Sequence, residues 1–175
     1  MARQRRAVPP TIEDDTLEGE ATRAAIGKAA YDLNVQQYCA AGLNFGYYYD
    51  QSPIIAYDSE PHPPYSMGDF TPSTVPGCRT PHLWLRDGRS LYDALGPDYT
   101  LIRFDPAIDV TTLLAAAQDR QLPLHLLDIA AAEATAPYRE RLVLSRPDQH
   151  IAWRGDTPPA DPHALIDRLR GAALI

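Results

Sequence analysis

The stretch that most constrains the fold of this chain runs from residue 142 to residue 155. Two short β-forming segments, Leu142–Leu144 and Ile151–Trp153, flank a polar Arg-Pro-Asp-Gln sequence. Pro147 fixes φ at a value suited to the second position of a turn, and Asp148 can hydrogen-bond its own backbone there. The sequence therefore predicts a β-hairpin.

The charged side chains of this hairpin have two interpretations. Arg146 and Asp148 are placed to pair across the turn, and Arg154 leaves the second strand where the chain turns toward solvent. Charges at these positions are typical of a solvated hairpin end, and a binding site is the alternative. The sequence favours the first interpretation.

Length and charge restrict the classes of function. The chain has 175 residues, 45% hydrophobic and 22% charged, which is enough for one ordinary domain plus an arm, or one large domain. A formal net charge of −7 provides no attraction to phosphates, which argues against a nucleic-acid partner. No apolar run has membrane-spanning length, and the basic residues 1–6 are followed by Ala-Val-Pro-Pro rather than an apolar signal segment. We expect a cytoplasmic protein without membrane contacts.

Residues 1–75 are predicted to form an N-terminal arm. Apolar residues at helical spacing predict a helix over about 17–41, with a capping residue among positions 14–16 and Gly42 suited to end it. Its apolar face is mostly alanine and buries little area alone, so the helix requires a partner. A hairpin is predicted over about 43–57, where three consecutive tyrosines indicate two-sided packing, and a Pro-rich surface linker follows.

Residues 76–175 alternate between strand and helix patterns. In order, they predict a strand at 82–85, a short helix capped by Ser90, a strand at 99–104, a helix capped by Asp109, a strand at 122–127, the hairpin, and a helix from Asp161-Pro162 to Gly171. A β-α-β unit followed by β-β-α gives an α/β fold, a mixed sheet with flanking helices on both faces. This topology is thioredoxin-like, and the helix-plus-hairpin arm precedes it.

The sequence predicts that this fold carries no thiol chemistry. Thioredoxins place their cysteines at the start of the helix after the first β-α strand, and here that place holds Asp105-Pro106-Ala107-Ile108. Cys39 and Cys78 are far apart and form neither a redox pair nor a metal-ligand pair. We expect both to be reduced thiols.

Two motifs in the second unit resemble those of a known family. Pro76-Gly77-Cys78-Arg79-Thr80-Pro81-His82 opens the unit, and Arg146-Pro147-Asp148-Gln149-His150-Ile151-Ala152-Trp153-Arg154 spans the hairpin. They are similar to the C-terminal domain of class A FAD-dependent aromatic hydroxylases, which include the phenol hydroxylase and polyketide hydroxylase relatives. Gly19–Arg23 and Gly46–Asp50 resemble the segment where those enzymes leave their substrate domain, so the resemblance covers roughly residues 11–171.

The resemblance implies FAD and NAD(P)H for the parent enzymes, with hydroxylation of an aromatic compound as their reaction. That family binds FAD through a G-x-G-x-x-G turn after a strand, and none of the ten glycines of this chain makes one. The family's catalytic and flavin-binding residues therefore have no matching positions here. The motif residues are expected to be structural, with charge-assisted bonds tying the linker to the hairpin: Arg79, His82, Arg146, Asp148, Trp153 and Arg154.

Metal and hydrolase sites are not indicated by the sequence. The five histidines lack the spacings H-x-x-x-H and H-E-x-x-H, and no serine lies in a G-x-S-x-G elbow. His82 and His150 fall in the two motifs and could meet in the fold. A structural hydrogen bond is the role we expect for them.

Three functional hypotheses follow. The first is a non-catalytic C-terminal domain of an FAD-dependent aromatic-compound monooxygenase, acting in packing, assembly or regulation. The second is a free-standing thioredoxin-like interaction module without redox activity, which binds a protein partner through the arm. The third, which the sequence disfavours, is a thiol-redox protein using Cys78. For the arm we expect either folding back on the thioredoxin-like unit or burial in a homodimer or against a flavin domain, with the dimer favoured over folding back.

Overall fold

The structure is a computed structural model that describes residues 8–134 and 136–172, so the basic residues 3–6 lie outside the described residues. Its strands are β1 (Tyr99–Arg103), β2 (Leu124–Asp128), β3 (Leu142–Ser145) and β4 (Ile151–Gly155). Its α-helices are α1 (Leu17–Tyr38), α2 (Ala41–Phe45), α3 (Leu91–Ala94), α4 (Thr111–Asp119) and α5 (Pro162–Leu169). Short 3₁₀ turns occur at Pro10–Glu13 and Ala131–Glu133.

The four strands form one mixed sheet in the order β2-β1-β3-β4. β1 and β2 are parallel, with α4 in the connection between them, whereas β3 is antiparallel to both β1 and β4. A β-α-β unit joined to β-β-α in this order is consistent with a thioredoxin-like fold. The predicted mixed α/β class is therefore confirmed.

Apolar residues cover both faces of the sheet, which explains why β3 is buried along its whole length. On one face, Leu101, Leu142 and Leu144 pack against α4 and α5. On the other face, Ile102 and Val143 belong to a second cluster that includes α3. A strand with buried side chains on both faces has a continuous apolar sequence rather than an alternating one.

The hairpin of β3 and β4 forms as predicted. Leu144 lies opposite Trp153, and one extra residue then shifts the register so that Ser145 lies opposite Ile151. The turn closes through the backbone amide of Gln149, which donates to the carbonyl of Arg146 over 2.9 Å. Gln149 has φ of 65°, an uncommon conformation for a residue with a side chain.

Helix starts follow the capping residues of the sequence. The side chain of Thr16 accepts from the amide of Gly19, Ser90 accepts from Tyr92, and Asp161 accepts from Ala164. Before α4, the carboxylate of Asp109 accepts from the amide of Thr111 over 2.9 Å. These bonds satisfy amides that have no partner within the helix.

The predicted helix 17–41 is too long and the predicted hairpin 43–57 is wrong. α1 ends at Tyr38, and α2 then begins at Ala41 because buried Gly42 lies against backbone, where an added Cβ would be 1.8 Å from the carbonyl oxygen of Ser66. Residues 47–57 form no strand. Their backbone amides bond to the second unit instead, Tyr49 to the carbonyl of Gly77 and Ala56 to that of Ala152.

The predicted strand at 82–85 is also absent. Trp84 forms a single isolated bridge with Ser90, and the amide of Leu91 donates to the carbonyl of Leu83 over 3.1 Å. The segment therefore folds back on the start of α3 and does not join the sheet. Its apolar pattern reflects burial of Leu83, which is 2% exposed, rather than strand pairing.

α1 is the least buried element of the described chain. Gly19 is the one buried residue among its described side chains, and Tyr31 is 64% exposed. On the face that the sequence predicted to need a partner, the alanines are exposed and Ile26 is half-buried. Within the described residues, no helix combines the length and apolar character needed to cross a membrane.

Candidate functional site

The turn of the hairpin gathers the two motifs around a cluster of cations and aromatic rings. Arg146 pairs with the carboxylate of Asp148 over 2.9 Å, and its guanidinium lies 5.1 Å from the centre of the Tyr49 ring. Because that ring comes from the arm, the contact joins the arm to the turn.

Arg79 brings the first motif to the same turn. Its Nη2 donates to the side-chain oxygen of Gln149 over 2.7 Å. Its guanidinium lies between two rings, 5.4 Å from the centre of Phe45 and 5.1 Å from that of Tyr92. Its backbone also forms an isolated bridge with His150. The guanidinium of Arg79 therefore joins segments that are far apart in the sequence.

The side chain of Arg154 does not point to solvent, and the prediction that it leaves the strand toward water is wrong. It is 5% exposed and contacts the carboxylates of Asp58 at 2.7 Å, Glu60 at 2.6 Å and Glu140 at 3.2 Å. Burial opposes its charge, but hydrogen bonds to Asp58 and Glu60 outweigh that effect and raise the pKa of Arg154. The guanidinium therefore stays charged and links the linker to β4.

The two remaining motif residues take part in packing. The Trp153 ring packs against the α4–α5 core and covers Gly155, where an added Cβ would lie 2.9 Å from that ring. His82 contacts the hydroxyl of Ser90 through Nε2 at 3.0 Å and meets the ring of Trp84 edge-on.

His82 and His150 have different surroundings. The rings that pack next to His150 belong to tyrosines and not to His82. The rings of Tyr47 and Tyr49 lie 5.1 and 4.9 Å from the His150 ring, centre to centre. On the other side of the chain, Tyr48 stacks on His62 at 4.3 Å. The three consecutive tyrosines thus pack on two sides, although the segment is not a strand.

The corner where thioredoxins carry their thiols is occupied by ion pairs. Asp105 accepts from the amide of Ala107 over 3.0 Å and pairs with Arg141 at 3.3 Å. Nearby, Arg103 binds Asp128 at 2.6 Å, and the hydrogen bond from Arg103 lowers the pKa of Asp128. The arrangement links β1 to neighbouring segments, and residues 105–108 contain no thiol.

The described cysteines lie away from this corner. Cys39 follows α1 and is exposed, whereas Cys78 is 5% exposed beside the first motif. Burial raises the pKa of Cys78 to about 11, so its thiol is protonated at neutral pH. A buried, protonated thiol does not attack disulfides, which weighs against the thiol-redox hypothesis.

Metal ligands are not grouped in the part of the chain that the structure describes. No set of three or more His, Cys, Asp or Glu side chains there is placed to hold a metal ion. The charged groups that do converge, around Arg154, form an ion-pair cluster centred on a cation.

Residues 73–173 match the profile of the family described as aromatic-ring hydroxylase, C-terminal. This chain belongs to that family. The match begins in the last residues of the arm and contains both motifs, the whole sheet and α3 to α5.

Individual members of this hydroxylase family align with the arm as well. The FAD-dependent monooxygenase opdD of Penicillium oxalicum (strain 114-2 / CGMCC 5302) is 29% identical over 94% of this chain and 32% of its own length. The phenol 2-monooxygenase of Pseudomonas sp. (strain EST1001) is 30% identical over 93% of this chain and 30% of its own length. The hydroxylase C-terminal chain therefore spans about a third of the length of these relatives.

A solved structure gives the same proportions. RebC, soaked with chromopyrrolic acid and containing bound 7-carboxy-K252c, superimposes with a TM-score of 0.76 and 38% identity over 95% of this chain and 32% of RebC. The similarity includes residues outside the profile match, so the arm is part of the shared fold.

FAD is the cofactor named for relatives, and the segment that leads into α4 does not fit a flavin pyrophosphate. A flavin pyrophosphate is normally held by free amides of a glycine-rich turn at a helix N-terminus. Before α4, the amides of Ala107 and Thr111 are already bonded to the carboxylates of Asp105 and Asp109. Hydrogen bonds from Thr111 lower the pKa of Asp109, so this negative charge would repel a phosphate at neutral pH.

Proposed function

We propose that this chain is a non-catalytic C-terminal domain of an FAD-dependent aromatic-compound hydroxylase, with a role in the packing, assembly or regulation of the flavin-bearing portion. In this proposal FAD, NAD(P)H and the aromatic substrate are bound elsewhere in the cytoplasmic enzyme. The family membership and the length of the relatives support it.

The observation that carries the proposal is the filled corner between β1 and α4. In an α/β sheet this position, at the carboxyl end of a parallel strand, is where ligands usually bind. Here the ion pairs of Asp105 with Arg141 and of Arg103 with Asp128 occupy it. In this domain, structural ion pairs fill the position that usually binds ligands. The domain then contributes surface and stability to an assembly.

The arm supplies the surface that such an assembly needs. α1 has 22 residues and is nearly bare, with Leu17, Tyr31 and Tyr38 more than half exposed. A helix of this kind gains most of its stability from tertiary packing. We infer that α1 docks against a flavin-bearing portion or against α1 of a second copy, which would cover both helices at once.

A free-standing interaction module is the second candidate, and the exposure of α1 favours it equally. The difference between the two lies in the partner. A flavin-domain reading frame immediately upstream of this one supports the hydroxylase role, whereas a solitary gene supports the module. In both cases the chain acts by contact rather than by catalysis.

The proposal predicts that the purified chain is colourless and does not bind FAD. Titration of FAD with the chain, followed by flavin fluorescence, should show no saturable quenching, because the amides before α4 are already bonded to carboxylates. The apoenzyme of the full-length FAD-dependent monooxygenase opdD serves as the positive control. Saturable quenching at micromolar concentrations would reveal a flavin site and refute the non-catalytic role.

A further inference from the structure

His150 is the most unusual side chain of the hairpin turn. It is 1% exposed. Its Nδ1 lies 3.0 Å from the carbonyl oxygen of Asp148, and because a carbonyl only accepts, Nδ1 carries the hydrogen. Among the buried side-chain nitrogen and oxygen atoms of the described residues, Nε2 of His150 alone has no hydrogen-bond partner. The site therefore fits the neutral imidazole.

The surroundings of His150 oppose a second proton. Two cations face it, Arg146 from the turn and Arg79 from the backbone segment paired with it. The one facing anion is Asp148, whose carboxylate lies 3.7 Å from Nδ1 but is already paired with Arg146. A protonated Nε2 would be a buried, charged donor without an acceptor, which disfavours the protonated imidazole in the closed site.

The arm closes this site. The rings of Tyr47 and Tyr49 pack against His150, and their hydroxyls are the remaining titratable groups that face it. Both tyrosines are partly exposed to solvent. Tyr49 is held further by its amide, which donates to the carbonyl of Gly77 over 3.0 Å. Water can reach Nε2 once these two rings move away.

We propose that His150 is an acid-sensitive clasp: protonation of Nε2 opens the contact between residues 47–49 of the arm and the hairpin turn, while the four-stranded sheet stays folded. The proton comes from water and is held by the imidazolium in the open state. This device does not depend on the proposed function, since it concerns how the chain holds its own arm.

Burial is the largest effect on His150 and lowers its pKa below the ordinary value near 6.5. The backbone hydrogen bond and the charge of Asp148 oppose this shift without cancelling it, and Arg146 and Arg79 act in the same direction as burial. The closed state therefore binds fewer protons than the open state. The stability that neutral His150 gives to the closed state is complete when the pH is above the ordinary imidazole pKa. It is lost as the pH falls from that value toward the lowered pKa of His150 in the closed state. In that window, the ratio of open to closed arm rises by up to about tenfold per pH unit.

Hydrogen exchange of individual amides tests the clasp in the full chain. The reporters are the amides of Tyr49 and Ala56, which bond to Gly77 and Ala152, and amides of β1 and β3 report on the sheet. After correction for the intrinsic exchange rate, protection of the two arm amides should fall by about tenfold per pH unit below pH 6.5. Protection of the sheet amides should not change.

Two variants separate His150 from other acid-sensitive groups. His150→Phe keeps the ring and the Arg154 ion pairs but cannot take a proton, so its arm protection should be independent of pH. His125→Gln removes an exposed imidazole on β2, at the opposite edge of the sheet, and should behave as the parent.

The outcome depends on how the protection of the arm amides changes with pH in each protein. A different absolute level of protection in a variant does not affect it. Arm protection that is constant from pH 7.5 to 5 in the parent overturns the proposal. The same acid-dependent loss in His150→Phe also overturns it, because the carboxylates around Arg154 would then be responsible.

Discussion

Gly77→Ala is expected to lower the free energy of unfolding by about 3 kcal/mol, which combines backbone strain with a direct clash. Gly77 has φ of +100°, which L side chains rarely adopt, and an added Cβ would lie 2.0 Å from the carbonyl oxygen of Tyr49. The residue also donates its amide to the carbonyl of Ile151 over 2.7 Å, so the backbone cannot move without breaking a bond to β4. Urea unfolding followed by circular dichroism measures the loss.

The chain provides a matched control at Gly88. Its φ is +82°, but an added Cβ would meet no atom within 4 Å. Gly88→Ala should therefore show only the cost of the left-handed conformation, about 1 kcal/mol. Equal losses in the two variants would contradict the close approach of the arm to Gly77.

Arg154→Met should be as damaging, with an expected loss of about 3 kcal/mol in the free energy of unfolding. The substitution keeps the length of the side chain but leaves the carboxylates of Asp58, Glu60 and Glu140 without their shared cation. These carboxylates are 20% to 46% exposed, so water compensates in part and the loss lies at the lower end for buried ion pairs. Urea unfolding again provides the measurement.

Two further variants locate the effect. Arg89→Met breaks an exposed pair with Asp87 and should cost much less than Arg154→Met, because water screens and replaces the lost contact. Glu60→Gln, combined with Arg154→Met in a double-mutant cycle, should show coupling, because the two side chains lie 2.6 Å apart. Additive losses, or an Arg154→Met effect no larger than that of Arg89→Met, would show that the cluster does not hold the linker.

The second unit was largely predictable because its sequence patterns are local. The hairpin, β1, β2 and the helices that start after Asp109 and Asp161 each have apolar periodicity together with a turn or capping residue beside them. The absence of cysteines from the β1–α4 corner could also be read from the sequence. Each of these features depends on residues close together in the chain.

The wrong predictions concern segments whose structure is determined by contacts with residues distant in the sequence. Residues 47–57 have β-forming side chains, but their amides bond to Gly77 and Ala152 rather than to one another. α1 ends early because Gly42 must approach the backbone near Ser66. Such contacts override local propensity and leave no periodic signal.

The candidate site shows the same limit. The sequence indicated Arg154 as a structural charge but could not place Asp58, Glu60 and Glu140 around it, since Asp58 and Glu60 lie in the distant linker and Glu140 lies before β3. The role of Tyr47 and Tyr49 beside His150 was likewise missed, although two-sided packing of the tyrosines was anticipated.

The central claim is that this chain acts by assembly and that α1 is its docking element. Light scattering after size-exclusion chromatography tests it most directly, using the full chain and a chain that begins at Ala40, each alone and, where a flavin-domain reading frame lies immediately upstream, mixed with its product. We expect the full chain to form a dimer or a stoichiometric complex with the flavin protein, and the shortened chain to be monomeric in both samples. A full chain that remains monomeric at high concentration and forms no complex would contradict the claim.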